Sequence, residues 1–134
     1  MKAVVDTRFL IAHFLTKDEL FKKWTRKTLE NLQNNSNCGL VPSIVVHEFY
    51  KFLLETYGKD IAEIRVNTLL SSNLEIVNLN SIIGIEAAKL RCKYVELPTA
   101  DAIIAATAIA MSCEYVLTDD KHIKQIKETK TRWI

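Results

Sequence analysis

Tyr115-Val116-Leu117-Thr118-Asp119-Asp120-Lys121-His122 passes within eight residues from an apolar run, through an acidic pair, into the start of a helical pattern. The run Glu114 to Leu117 has the length and composition of a strand buried on both faces. Ala3-Val4-Val5-Asp6 repeats the theme at the other end of the chain, with an apolar run, a terminal carboxylate and a predicted helix over Arg8 to Phe14. Cys38 to Val41 gives another strand. Pro42-Ser43 then opens a helix, with Ser43 as its expected cap and Val45, Val46, Phe49, Phe52 and Leu53 on its apolar face.

The remaining segments fit the same alternation. Helices are predicted over Asp18 to Asn34, Asp60 to Leu70, Ile82 to Tyr94, Asp101 to Met111 and Asp120 to Lys127. Asn34-Asn35-Ser36-Asn37 and Tyr57-Gly58 read as stops. Leu74 to Leu79 and Thr131 to Ile134 read as strands, the last at an edge. Strands alternating with helices imply an α/β architecture with a central parallel sheet covered on both faces.

At 134 residues, with 3 glycines and 2 prolines, the chain is expected to fold as one domain over 1–134 without long loops. An apolar share of 49% and a charged share of 25% are those of a globular protein in water. The richest apolar run, Ala102 to Met111, is too short to span a bilayer, and the N-terminus lacks the apolar core of a secretory signal. Cys38, Cys92 and Cys113 are widely spaced and odd in number, which supports neither a disulfide framework nor a zinc site. A reducing, cytoplasmic setting is the expectation.

In an open parallel sheet, functional groups gather beyond the carboxyl ends of the strands. Asp6, Asp119 and Asp120 stand at two such ends. Asp101 lies in the first turn of the alanine-rich helix, and Glu48 lies one turn into the helix that begins at Ser43. Each alone is most simply a turn, cap or surface residue. Together they would form a carboxylate cluster, and clustered carboxylates repel one another unless protonated or neutralised. Mg²⁺ or Mn²⁺ neutralises through oxygen ligands and supplies water for attack on a phosphodiester. Neither a Ser/His/Cys triad nor a glycine-rich phosphate loop competes for the role.

Four stretches also carry a family resemblance: Val5-Asp6-Thr7, Val41-Pro42-Ser43 through Glu48, Asp101 through Ala108, and Val116 through His122. In order and spacing they resemble the PIN domain, and in particular the stand-alone ribonuclease toxins of VapBC toxin–antitoxin systems. The resemblance implies a three-layer α/β/α PIN fold and Mg²⁺- or Mn²⁺-dependent cleavage of RNA. It makes Asp6, Glu48 and Asp101 the principal acids, with Asp120 the fourth and Asp119 an extra or substitute metal ligand. Thr7 and Thr118 would orient carboxylates or waters. It further implies a homodimer and a cognate antitoxin whose peptide lies across the active-site groove. The chain departs from the family at Arg8, where a small polar residue is common, and at Ile123, where an aromatic is frequent.

The net charge of +2 decides little, but its distribution is informative. Lys17, Lys22, Lys23, Arg26 and Lys27 read as a solvated helical face. Lys121, Lys124, Lys127, Lys130 and Arg132 begin beside the acidic pair and are expected to steer phosphate, with Arg8, Lys121 and Lys124 as the RNA contacts. His13, His47 and His122 lack metal-ligand spacing and read as structural or surface residues. Trp24 and Trp133 read as packing anchors or dimer contacts. The competing functions are a PIN nuclease of RNA processing, a non-catalytic RNA-binding module of the same fold, and a phosphoryl-transfer or receiver domain. Arg8 disfavours the last, because both of its forms want a further acid near Asp6.

Overall fold

The computed structural model describes residues 1–34 and 36–134. Its elements run β1 (Lys2–Val5), α1 (Thr7–Leu15), α2 (Glu19–Asn31), β2 (Cys38–Pro42), α3 (Ser43–Tyr57) and α4 (Lys59–Leu70). They continue as β3 (Glu75–Val77), α5 (Ser81–Lys93), α6 (Thr99–Ala110), β4 (Tyr115–Leu117), α7 (Lys121–Lys124) and β5 (Thr131–Arg132). The sheet order is β3-β2-β1-β4-β5 and every pairing is parallel. Successive strands lead outward from β1 on one side, whereas β4 and β5 lie on the other. The order therefore reverses between β1 and β4, where Val4 pairs with Val116 and Val5 with Leu117. A crevice opens beyond the strand ends at such a reversal.

The central strands are apolar because helices flank the sheet. Ala3, Val4, Val5, Val116 and Leu117 are all fully buried. Helix α6 is buried nearly all round, with Ala102, Ile104, Ala105, Ala106 and Ala108 in the core. Its alanines let it lie close to β1, β2 and β4 while α5 packs against its other side. This fixes the depth of Asp101, in the first turn of α6, relative to the strand ends.

Most expected elements occur within two residues of their predicted ends, and the departures are local. Ser43 is the first residue of α3 rather than its cap; Pro42 holds the cap position without a side-chain bond, and Ser43 Oγ accepts from the Leu79 N–H at 3.3 Å. The last helix stops at Lys124 instead of Lys127, because the Lys127 N–H donates to the Tyr94 hydroxyl at 3.0 Å rather than to a helical carbonyl. The strand expected over Leu74 to Leu79 is paired only at Glu75–Val77. Helix α2 ends at Asn31, and of the expected turn over Asn34-Asn35-Ser36-Asn37, Asn35 lies outside the described residues. Gly58 separates α3 from α4 at φ +87°, a conformation that a side chain would strain.

Candidate active site

Asp6 follows β1 directly, in extended conformation, and caps α1. Its side chain is 2% exposed. One carboxylate oxygen accepts from the Thr7 N–H at 2.7 Å, and the other accepts from the Thr118 hydroxyl at 2.6 Å. Thr118 is itself buried beyond the end of β4, and its oxygen accepts from the Asp120 N–H at 3.0 Å. A single hydroxyl thus ties the two strand ends together across the point where the sheet order reverses. Thr7 does the equivalent on the other side, donating from Oγ1 to Glu48 Oε1 at 2.7 Å and so fixing α3 against the start of α1.

Asp6, Glu48, Asp101 and Asp120 line one open cavity of about 500 Å³, together with Thr7 and Arg8. The same cavity extends along α3 past His47, Lys51, Phe52 and Glu55. Burial pushes the Asp6 carboxyl up to about 6, against the pull of its bonds to Thr118 and Thr7, and Glu48 and Asp120 push the same way. Burial likewise raises Asp101 to about 7, reinforced by Asp120, Asp6 and Glu48 and opposed by Arg8. Each raised value reflects a carboxylate short of water and near others of its kind. The cavity is short of positive charge.

The four acids supply hard oxygen donors of the type a divalent cation prefers. Among the described residues, no three His, Cys, Asp or Glu side chains stand close enough together, as arranged, to encircle one ion. Mg²⁺ commonly binds through one or two carboxylates while keeping several waters. The donor chemistry therefore fits such an ion in a partly hydrated form.

Other expected site residues fall elsewhere. Asp119 does not line the cavity; its Oδ1 accepts from Arg8 Nε at 2.6 Å. Asp120 combines two roles, facing the cavity and capping α7 by accepting from the N–H groups of His122 at 2.8 Å and Ile123 at 3.4 Å. Lys121 and Lys124 are exposed on α7 but do not line the cavity. The lysine that does is Lys51, with His47 beside it. Helical spacing was the signal for both, since Lys51 stands three residues beyond Glu48 and four beyond His47 on α3. His13 and Trp24 serve packing. His13 meets the buried Thr25 hydroxyl at 2.7 Å, while Trp24, Trp133 and Phe9 stack edge to face.

A parallel sheet with order β3-β2-β1-β4-β5, carrying four carboxylates around a cavity where that order reverses, defines an α/β protein with an acidic crevice at its switch point. The family model for the PIN domain matches residues 3–129, and the chain belongs to that family. Solved structures agree on the fold. VapBC2 from Rickettsia felis, bound to a DNA fragment from its promoter, superposes with a TM-score of 0.83 at 21% identity, covering 100% of both chains. DNA-bound VapBC from Salmonella typhimurium gives 0.77 at 18% identity, covering 98% of this chain and 97% of that one. VapC20 from Mycobacterium tuberculosis, a toxin that cleaves the sarcin–ricin loop, gives 0.70 at 18% identity, covering 92% and 93%. No curated protein sequence matches the chain. Among the described residues, no helix is long and apolar enough to cross a membrane.

Proposed function

We propose that the protein is an endoribonuclease that hydrolyses RNA phosphodiester bonds with Mg²⁺ or Mn²⁺, and that it is the toxin of a VapBC-type toxin–antitoxin pair. The observation that carries this reading is the convergence of Asp6, Glu48, Asp101 and Asp120, from four separate elements, on one open cavity. Those acids are the residues that would hold the cation, and Thr7 and Thr118 would set the direction of their lone pairs. A bound divalent ion would supply charge neutralisation and a water of lowered pKa for attack on phosphorus.

The chain's own residues prepare for that task without the ion. Thr118 and the Thr7 N–H hold both oxygens of Asp6, so its side chain loses little freedom when a ligand arrives. Asp101 at about 7 and Asp6 at about 6 keep part of their protons near neutrality, and an incoming cation would displace them. Arg8 and Lys51 on the cavity wall, with Lys121 and Lys124 on adjoining α7, supply positive charge for the RNA backbone. A non-catalytic module would gain nothing from carboxylates whose burial and mutual repulsion destabilise the fold.

The toxin role draws support from structural relatives that are VapBC complexes and from one that is described as cleaving the sarcin–ricin loop. In this reading the stretch 1–134 acts as one domain, forms a homodimer, works in the cytoplasm and is silenced by a cognate antitoxin. The decisive variant is Asp101→Asn, which removes a charge with little change of shape. Cleavage of labelled single-stranded RNA with Mn²⁺ should fall at least about a hundredfold, more than the loss of a supporting hydrogen bond would cause. The melting temperature should hold or rise, because a repelling charge is gone. Full metal-dependent cleavage by that variant would exclude this site.

A further inference from the structure

Arg8 and Asp119 form an ion pair whose location is unusual for an exposed pair. Arg8 is the second residue of α1, just beyond β1, and Asp119 lies just beyond β4. The two strands are neighbours, so the pair bridges the same reversal of sheet order that carries Asp6 and Asp120. The side chains are 53% and 37% exposed, and the contact is a single bond from Nε to Oδ1 at 2.6 Å. Arg8 lines the acid cavity, while Asp119 stands outside it.

A guanidinium has five N–H donors in a planar fork. Using Nε on Asp119 leaves the four donors of the two Nη groups for another partner, and such a fork suits the oxygens of a phosphate. Position matters as much as charge. An untethered arginine at this spot would be drawn onto the carboxylates of the cavity, where it would compete with a divalent cation. The bond to Asp119 holds the guanidinium at the rim instead. From this geometry we propose that Arg8 binds a backbone phosphate of the RNA at the mouth of the cavity, and that Asp119 is the positioning residue that presents it. The proposal rests on the ribonuclease reading and assigns Asp119 to Arg8 rather than to a metal.

The sign of one substitution tests it. RNA is a polyanion, so removing the Asp119 charge should tighten binding if that residue only adds to the local field. Binding should weaken only if Asp119 orients Arg8. Anisotropy of a labelled single-stranded RNA, measured in chelator, removes any contribution from metal ligation. Arg8→Ala should weaken binding roughly tenfold, in keeping with loss of a charge-assisted hydrogen bond. It should also lower the salt dependence by about 0.7 of a log unit per log unit of salt. Asp119→Asn should weaken binding about threefold in the wild-type background and should tighten it or leave it unchanged in the Arg8→Ala background. Arg8→Lys should recover part of the charge effect and none of the dependence on Asp119.

Tighter or unchanged binding by Asp119→Asn in the wild-type background overturns the proposal, as does the absence of RNA binding by the wild type. An Asp119→Asn protein with normal RNA affinity but a raised Mn²⁺ requirement in cleavage also overturns it and makes Asp119 a ligand. If the wild type binds RNA but does not cleave it with Mn²⁺, the nuclease reading fails while the binding cycle still decides the role of Asp119.

Discussion

Asp101 and His13 are both half-buried titratable groups held away from their ordinary pKa, and the cavities around them have opposite sign. Asp101 faces Asp6, Glu48 and Asp120, and burial with like charges raises it to about 7. His13 borders a cavity of about 250 Å³ among Leu10, Phe14, Phe49, Lys22 and Arg65. Burial there, with Lys22, Arg26 and Arg65 nearby, lowers it to about 4. The difference lies in what each group is bonded to. His13 is neutral and bonded to the buried Thr25 hydroxyl, whose own proton goes to the Lys22 carbonyl oxygen at 3.0 Å. Arg65 lies over the Phe14 ring, 4.8 Å from its centre. Among the described residues Asp101 accepts no such bond, and the charge of Arg8 only partly opposes its acidic neighbours. A displaced pKa marks a candidate site only when the group's charged form is left waiting for a partner.

Thr118 and Thr25 make the contrast testable, since each is a buried threonine whose hydroxyl holds a titratable group. Thr118→Val removes the donor to Asp6 and the acceptor for the Asp120 N–H. Metal-dependent RNA cleavage should fall about 10- to 100-fold, and the Mn²⁺ concentration for half-maximal rate should rise. An unaltered metal requirement would place Asp6 outside the ion-binding set.

The two regions should also respond to pH in opposite directions. In chelator, the folded protein holds the protons of Asp6 and Asp101 up to about 6 and about 7, whereas the unfolded chain releases them near 3.8. Stability contributed by the acid cavity should therefore decline as pH rises from about 4 to about 7 and stay level above. At His13 the unfolded chain takes up a proton near 6.5 and the folded protein resists until about 4, so stability is lost as pH falls across that interval. Melting curves across this range should keep only the Asp6 part of the first slope, below about pH 6, in Asp101→Asn and should lose the second slope in His13→Gln. Saturating Mn²⁺ should flatten the first alone.

The smallest expected effect belongs to Thr25→Val. It should cost about 1 kcal/mol, the net worth of a typical hydrogen bond, and lower the melting temperature by roughly 3 °C. RNA cleavage below the transition should be unchanged. A loss of cleavage there would erase the distinction between a structural and a functional cavity.

Most of the elements were legible in the sequence, and so was the grouping of Asp6, Glu48, Asp101 and Asp120 at one cavity. Apolar runs at Ala3–Val5 and Tyr115–Leu117, each ending in carboxylates, implied parallel strands with acids beyond their ends, because buried strands and helical periodicities leave local signatures. Those signatures could not rank Asp119 against Asp120, nor could they show that Lys121 and Lys124 lie outside the cavity. They also could not show that Tyr94 would end the last helix early. Each of these depends on contacts between residues far apart in the chain, such as Arg8 with Asp119 or Tyr94 with Lys127. The pairing of β4 beside β1 sets the first distance, and the packing of α5 and α7 against α6 sets the second.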